Sequence, residues 1–191
     1  MLLDLRRGLV ALLALTVLVG IAYPVLVFGI GQAAFRGAAN GSLVHSGGRT
    51  VGSALIGQSF GTDPKYFWGR PSAAGDGYDP RASGASNLGP TSAKLDQAVR
   101  ERLEALLKSN PGTTATQVPS ELVTASGSGL DPDISPVAAD FQVNRVARAR
   151  GLDPAAVARL VDQHTQGRTL GIFGEPRVNV LALNLALDRL R

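Results

Sequence analysis

Residues 8–30 read GLVALLALTVLVGIAYPVLVFGI, a run of 23 residues without a charged side chain, and Arg6 and Arg7 stand directly before it. Leu, Val, Ile and Ala fill the run, and Thr16 and Tyr23 are its few polar groups. As a helix rising about 1.5 Å per residue it would extend roughly 34 Å, enough to cross a hydrocarbon core of roughly 30 Å. Pro24 leaves one carbonyl without its helical partner, a defect that a neighbouring helix, a hydroxyl or water can satisfy. No other stretch is comparable. The plan expected is therefore one membrane span with a water-soluble domain behind it.

A cleaved signal peptide is the competing reading. Arg6 and Arg7 would form its basic region, and the small residues from Gly31 to Ala34 offer a cleavage site. The apolar run, however, exceeds the roughly 7–15 residues of a signal core. An uncleaved anchor is favoured. Arg6 and Arg7 place the short N-terminus in the cytoplasm, because flanking Lys and Arg stay inside, and Arg36 is a single opposing charge. The domain that follows is then expected outside the cytoplasm.

The 161 residues beyond Ile30 suffice for one domain with its own core. The chain has no cysteine, which excludes disulfides, thiolate metal sites and cysteine nucleophiles. Beyond Ile30, 17 Lys and Arg face 14 Asp and Glu, interspersed rather than clustered, which does not describe a nucleic-acid binder. The 23 glycines of 191 residues exceed the roughly 7% average and fall mostly between Gly29 and Gly129, so that half should be rich in turns.

Gly37 to Gly48 reads as a connector, and Arg49 to Phe60 has the content of a strand. Asp63 to Pro90 is dense in turn formers yet carries Tyr66, Phe67, Trp68 and Tyr78, which marks an ordered loop pinned by its aromatics. Leu95, Val99, Leu103 and Leu106 form one helical face, with Thr91 or Ser92 as cap and Asn110-Pro111-Gly112 as stop. Ser135-Pro136 opens a second helix that closes at Gly151, and Asp153-Pro154 opens a third through His164. Leu170 to Phe173 reads as a strand. Arg177 to Leu190 reads as a helix, with some period-2 alternation. The fold class is α+β: a single N-terminal transmembrane helix, then one mixed α/β soluble domain with long ordered loops. Its parts are a cytoplasmic N-terminus at 1–7, the span at 8–30, a connector at 31–48 and an extracytoplasmic domain at 49–191.

Catalytic signatures are scarce. There is no Walker A sequence and no Gly-x-Ser-x-Gly elbow. His45 and His164 stand far apart, too few for a zinc site. Asp131-Pro132-Asp133 fits an Asx turn ahead of a helix cap better than a metal loop. Ser126, Gly127, Ser128 and Gly129 string together N–H groups and hydroxyls that can cradle an anion or phosphate, or offer neutral oxygens to a monovalent cation; a plain flexible turn is the simpler reading. Arg145, Arg148 and Arg150 suit a helix C-terminus and read as a solvated face.

Several blocks together resemble one family. They are Gly52 to Phe60, Tyr66-Phe67 with Arg70 to Ala73, and Ser83-Gly84 through Ser86 to Pro90. Val123 to Pro132, Gln142 to Ala147 and Gly174 to Leu181 continue the series in order. The chain is similar to the C subunit of the Kdp-type potassium-transporting P-type ATPase. Asp133 departs from the pattern, which has His there in many members.

The resemblance implies a non-catalytic accessory subunit in the cell membrane, with potassium as the transported ion. Its partners would be a potassium-binding, channel-like subunit and an ATP-hydrolysing P-type subunit. Two roles go with it: a catalytic chaperone raising the pump's affinity for ATP, or a soluble domain at the external ion entrance that stabilises the assembly. The chain would hold no cofactor of its own. A shared ATP would be met by Ser126, Gly127, Ser128 and Gly129 at its phosphates and Gln142 at its adenine edge. The competing readings are a membrane-anchored hydrolase using dispersed Ser, Asp and His164, and an extracytoplasmic ligand-sensing domain.

Overall fold

The computed structural model describes residues 1–190; Arg191, the last residue assigned to the soluble domain, lies outside the described residues. The chain divides into two compact units, Met1–Leu43 and Val44–Arg191. The first is dominated by one continuous helix, Leu2–Ala34, of 33 residues. It comprises α1 (Leu2–Leu15), a π-helical segment (Thr16–Ala22) and α2 (Tyr23–Ala34). None of its residues is buried. The π segment ends two residues before Pro24, and the Tyr23 N–H bonds five residues back to the Leu18 carbonyl. A proline lacks the N–H that an α-helical ladder needs, and a π turn is one way to take up that gap. After α2 comes one turn of helix, α3 (Arg36–Ala39), tied back through paired amides of Gln32 and Asn40.

A hairpin follows, β1 (Leu43–Ser46) with β2 (Arg49–Ser53), turning at Gly47 and Gly48, both with positive φ. The strand expected to reach Phe60 therefore stops at Ser53. Residues 54–60 turn instead, held by the Gly57 N–H on the Leu130 carbonyl and by Asn179 Nδ2 on the Ala54 carbonyl. No long helix or strand occurs between Ser53 and α4 (Ala93–Ser109). This is the long ordered loop of the sequence reading.

Helix α4 presents Val99, Leu103 and Leu106 to the core, as their spacing requires, and Asn110 closes it with both its N–H and its side-chain amide on the Leu106 carbonyl. Helix α5 (Pro136–Arg150) starts at Ser135, whose Oγ accepts the Ala138 N–H, and ends at Gly151 in the left-handed conformation. Helix α6 (Pro154–His164) starts at Asp153, whose carboxylate accepts the Ala155 N–H. These are the punctuation marks that the sequence displays.

Two short strands escape the sequence pattern, β3 (Asp133–Ile134) and β4 (Thr165–Gln166). They flank β5 (Arg177–Asn179) in an antiparallel sheet of order β3-β5-β4, with Ile134 opposite Val178 and Thr165 also opposite Val178. The helix expected from Arg177 begins only at Val180, as α7 (Val180–Leu187), because residues 177–179 pair as a strand and Asn179 caps the helix through the Ala182 N–H. The strand expected at Leu170 to Phe173 is a tight turn, closed by the Thr169–Phe173 bridge. Leu170, Gly171 and Gly174 all have positive φ there, which a strand does not tolerate. The core lies among α5, α6, α7 and β5, around Val146, Val157, Val161, Val178, Leu183 and Leu187. This α+β arrangement behind an apolar N-terminal helix matches the expected fold class.

Candidate functional site

The polar interior of the second unit is concentrated where residues 63–72 cross α5 and α7. An irregular segment that enters a core must satisfy its backbone groups without a sheet partner. Here side chains do so. Asn184 accepts the Phe67 N–H at 2.8 Å and donates to the Phe67 carbonyl at 2.9 Å. Gln142 treats Trp68 the same way, accepting its N–H at 2.8 Å and donating to its carbonyl at 3.1 Å. Arg145 donates from Nη1 to the carbonyls of Pro64 and Tyr66 and from Nη2 to Gln142 Oε1. Its guanidinium also lies over the Trp68 ring, 3.9 Å from the centroid. Two amides and one guanidinium thus replace the ladder of a missing strand, and Phe67 is fully buried among them.

This overturns one expectation. Arg145 is not on a solvated face; it is 1% exposed, while Arg148 is exposed. Desolvation lowers its pKa to about 10, opposed by the charge of Asp63, so it stays cationic at neutral pH. Arg150 continues the cluster outward, donating to the Lys65 carbonyl and pairing with Asp188 at 2.7 Å over the Tyr66 ring.

Gln142, expected at an adenine edge, is fully buried. Its amide is occupied on both sides, the nitrogen bonding the Trp68 and Ala138 carbonyls and the oxygen holding Trp68 N–H and Arg145. The Ser126–Gly129 turn is likewise built into its surroundings. The Ser126 N–H bonds the Pro71 carbonyl, and the Gly129 N–H bonds the Ser126 carbonyl. The Ser128 carbonyl accepts from Gly84 N–H and Ser83 Oγ, and the Gly129 carbonyl accepts from Ser72 Oγ. Gly129 has φ +68°, and a Cβ there would lie 2.7 Å from Ala74 N and 2.8 Å from the Gly84 carbonyl oxygen. Glycine is required on both counts. Gly127 and Ser128 are exposed at the surface of the turn. Segments 71–84 and 126–130 therefore form one loop pair, with no hydrogen bond joining Gln142 to it among the described residues.

Asp131 and Asp133 behave as the Asx reading expects. The Asp133 N–H donates to Asp131 Oδ1 at 3.1 Å. Each carboxylate has its own arginine, Arg70 at 3.1 Å for Asp131 and Arg177 at 3.3 Å for Asp133. Burial raises the pKa of Asp133, against the lowering effects of Asn179 and Arg177. Among the described residues no cluster of three or more His, Asp or Glu could hold a metal. His164 Nδ1 lies 2.9 Å from the Leu160 carbonyl, within its own helix, and His45 is exposed on β1. Beside the clamp that Gln142, Arg145 and Asn184 form on residues 64–68, an open cleft of about 230 Å³ is lined by Phe60, Trp68, Tyr78, Arg70 and Arg102. The Tyr78 hydroxyl donates to the Arg70 carbonyl, and burial raises its pKa to about 12.

Among the described residues no catalytic constellation emerges. What the geometry offers is a rigid scaffold whose polar groups serve the fold. The profile of the K+-transporting ATPase c-chain family matches residues 5–189. The chain belongs to this family. It is 59% identical over 192 residues to the potassium-transporting ATPase KdpC subunit of Sorangium cellulosum, covering the whole of both chains. The subunit of that name from Variovorax paradoxus is also 59% identical, over 96% of this chain and 95% of its own. That from Gemmatimonas aurantiaca is 57% identical, over 97% and 92%. As a c chain, the protein is a non-catalytic subunit of the ATPase.

The sequence singles out Gln142 only as a nucleotide contact, not for this loop, and does not mark the companions of Gln142. Arg145 stands three residues on and Asn184 lies on the last helix, and both act on residues 64–68. The available signal was three polar side chains on otherwise apolar helix faces, opposite a loop rich in aromatics.

Proposed function

We propose that the protein is the accessory subunit of an ATP-driven potassium uptake complex, acting through assembly and at the external ion entrance. The family match along residues 5–189 carries this reading. The N-terminal helix is the docking span. Its apolar side chains are all exposed, and Leu18, Val19, Ala22, Tyr23 and Leu26 line a shallow notch along one face. In a bilayer such a notch is an invitation to a neighbouring helix, where close packing replaces the missing hydrophobic drive. Arg6 and Arg7 support a cytoplasmic N-terminus and an external domain. The partners in this reading are a potassium-binding, channel-like subunit and an ATP-hydrolysing P-type subunit.

An external domain meets little ATP, which favours the entrance role over the chaperone role. A nucleotide contact through Ser126 to Gly129 and Gln142 would have to displace hydrogen bonds that hold Trp68 and Arg145. Two measurements test the proposal. After gentle solubilisation of native membranes, the chain should co-purify with a multi-span ATPase; purification alone would sink the assembly reading. Protease added to intact cells should cut the domain. Protection in cells and cutting in inverted vesicles would reverse the orientation and favour the chaperone role.

A further inference from the structure

The turn between β4 and β5 exposes three large apolar side chains within four residues. Leu170 is 84% exposed, Ile172 73% and Phe173 63%. Clustered apolar exposure of this kind marks an interaction site rather than ordinary surface. The turn is also rigidly built. Thr169 N–H bonds the Phe173 carbonyl at 2.9 Å, and Phe173 N–H returns to the Thr169 carbonyl at 2.9 Å. Gly171 N–H closes on the Arg168 carbonyl, and Arg168 clamps Glu175 with both carboxylate oxygens within 2.9 Å. Leu170 is held at φ +55°, a conformation unfavourable for leucine. A strained, cross-braced turn that points three apolar side chains at water has its binding shape already formed, which reduces the ordering cost of association.

The charges around it decide what it meets. A loop that seeks an anionic bilayer surface carries free cations beside its apolar residues. Here Arg168 is paired with Glu175 and Arg177 with Asp133. The rim is therefore neutral by internal pairing, which suits a protein pocket with a polar edge. We propose that Leu170, Ile172 and Phe173 form a preformed wedge that docks into an apolar pocket on the aqueous face of a membrane-embedded subunit of the same complex. This rests on the accessory-subunit reading.

The test uses the full chain in its native membrane. A photoreactive amino acid at position 172 should crosslink to a multi-span subunit of the complex, at a peptide outside its membrane spans. In a second arm the triple variant Leu170→Gly, Ile172→Ser, Phe173→Ser should be recovered with the complex about tenfold less after mild solubilisation, the loss expected on removing a hot spot. Its unfolding midpoint should match the parent's, since the altered side chains touch no core. Crosslinks to lipid alone, or undiminished recovery of the triple variant, would overturn the wedge while leaving the accessory reading intact. If the unaltered chain is not recovered with any multi-span ATPase subunit, the accessory reading fails as well.

Discussion

Two irregular segments, residues 63–72 and 167–176, share a vocabulary of glycine, proline, arginine and aromatic or apolar residues and reach opposite ends. In the first, Phe67 is fully buried; in the second, Phe173 is 63% exposed. The difference lies in what approaches the backbone. Gln142, Arg145 and Asn184 come from α5 and α7 to satisfy Pro64, Tyr66, Phe67 and Trp68. The second segment satisfies itself with bonds among residues 168–173 and needs no helix. A loop whose backbone is served by the core can bury its side chains. One that closes on itself is free to aim them at a partner.

Breaking the held loop should produce the largest effects. Arg145→Ala removes donors from Pro64, Tyr66 and Gln142 and empties the space over Trp68. We expect a loss of about 3–5 kcal/mol, in the range for breaking a buried charged network. Urea unfolding of the detergent-solubilised chain, followed by Trp68 fluorescence, measures it directly. The other anchor of this region is the turn at Gly129. Gly129→Ala sets a Cβ against Ala74 and Gly84 at a left-handed φ, so a loss of about 2–3 kcal/mol is expected in the same assay. A neutral result would mean that segments 71–84 and 126–130 separate at little cost.

These two positions also measure how far the sequence could be read. The boundaries of α5 and α6 were legible because Ser135-Pro136, Gly151 and Asp153-Pro154 are local signals acting over one helical turn. Strands β3 and β4, two residues each, were not legible. They exist only because β5, more than ten residues away from either, lies between them. Leu170 to Phe173 has strand composition but pairs only within its own turn, through the Thr169–Phe173 bridge, so composition misleads. The clamp was half legible. Gln142 stands out within its block, but as a nucleotide contact; its partner Trp68 lies 74 residues upstream. Arg145 reads as a surface charge because the carbonyls that hold it are about as remote. Non-local compensation of a buried charge leaves no periodic trace in a sequence.

Tyr78 extends the comparison to pH. Its hydroxyl is bonded to the Arg70 carbonyl, and its pKa in the fold is about 12 against 10.0 for a free tyrosine. Below pH 10 both folded and unfolded chains keep the proton. From pH 10 to 12 the unfolded chain releases it first, so this contribution to stability falls away as pH rises. The unaltered protein should lose on the order of 2 kcal/mol across that interval relative to Tyr78→Phe. Unfolding curves of both proteins at several alkaline pH values give the difference, and a constant gap would show that the hydroxyl is not held as described.

The smallest effect belongs to the outward turn. Leu170→Gly deletes an 84% exposed side chain from a residue at φ +55°. Glycine adopts that conformation freely, and relief of the left-handed penalty is worth about 1 kcal/mol. Against it stands the added freedom of glycine in the unfolded chain, of roughly 0.5–1 kcal/mol. The two nearly cancel, so the unfolding midpoint should stay within experimental error of the parent's. A clear loss of stability would show Leu170 packing against its own chain, and the contrast between the inward and outward loops would then collapse. An unchanged midpoint means that the leucine is not maintained for the fold, which leaves what it touches outside the chain as the reason for tolerating its strain.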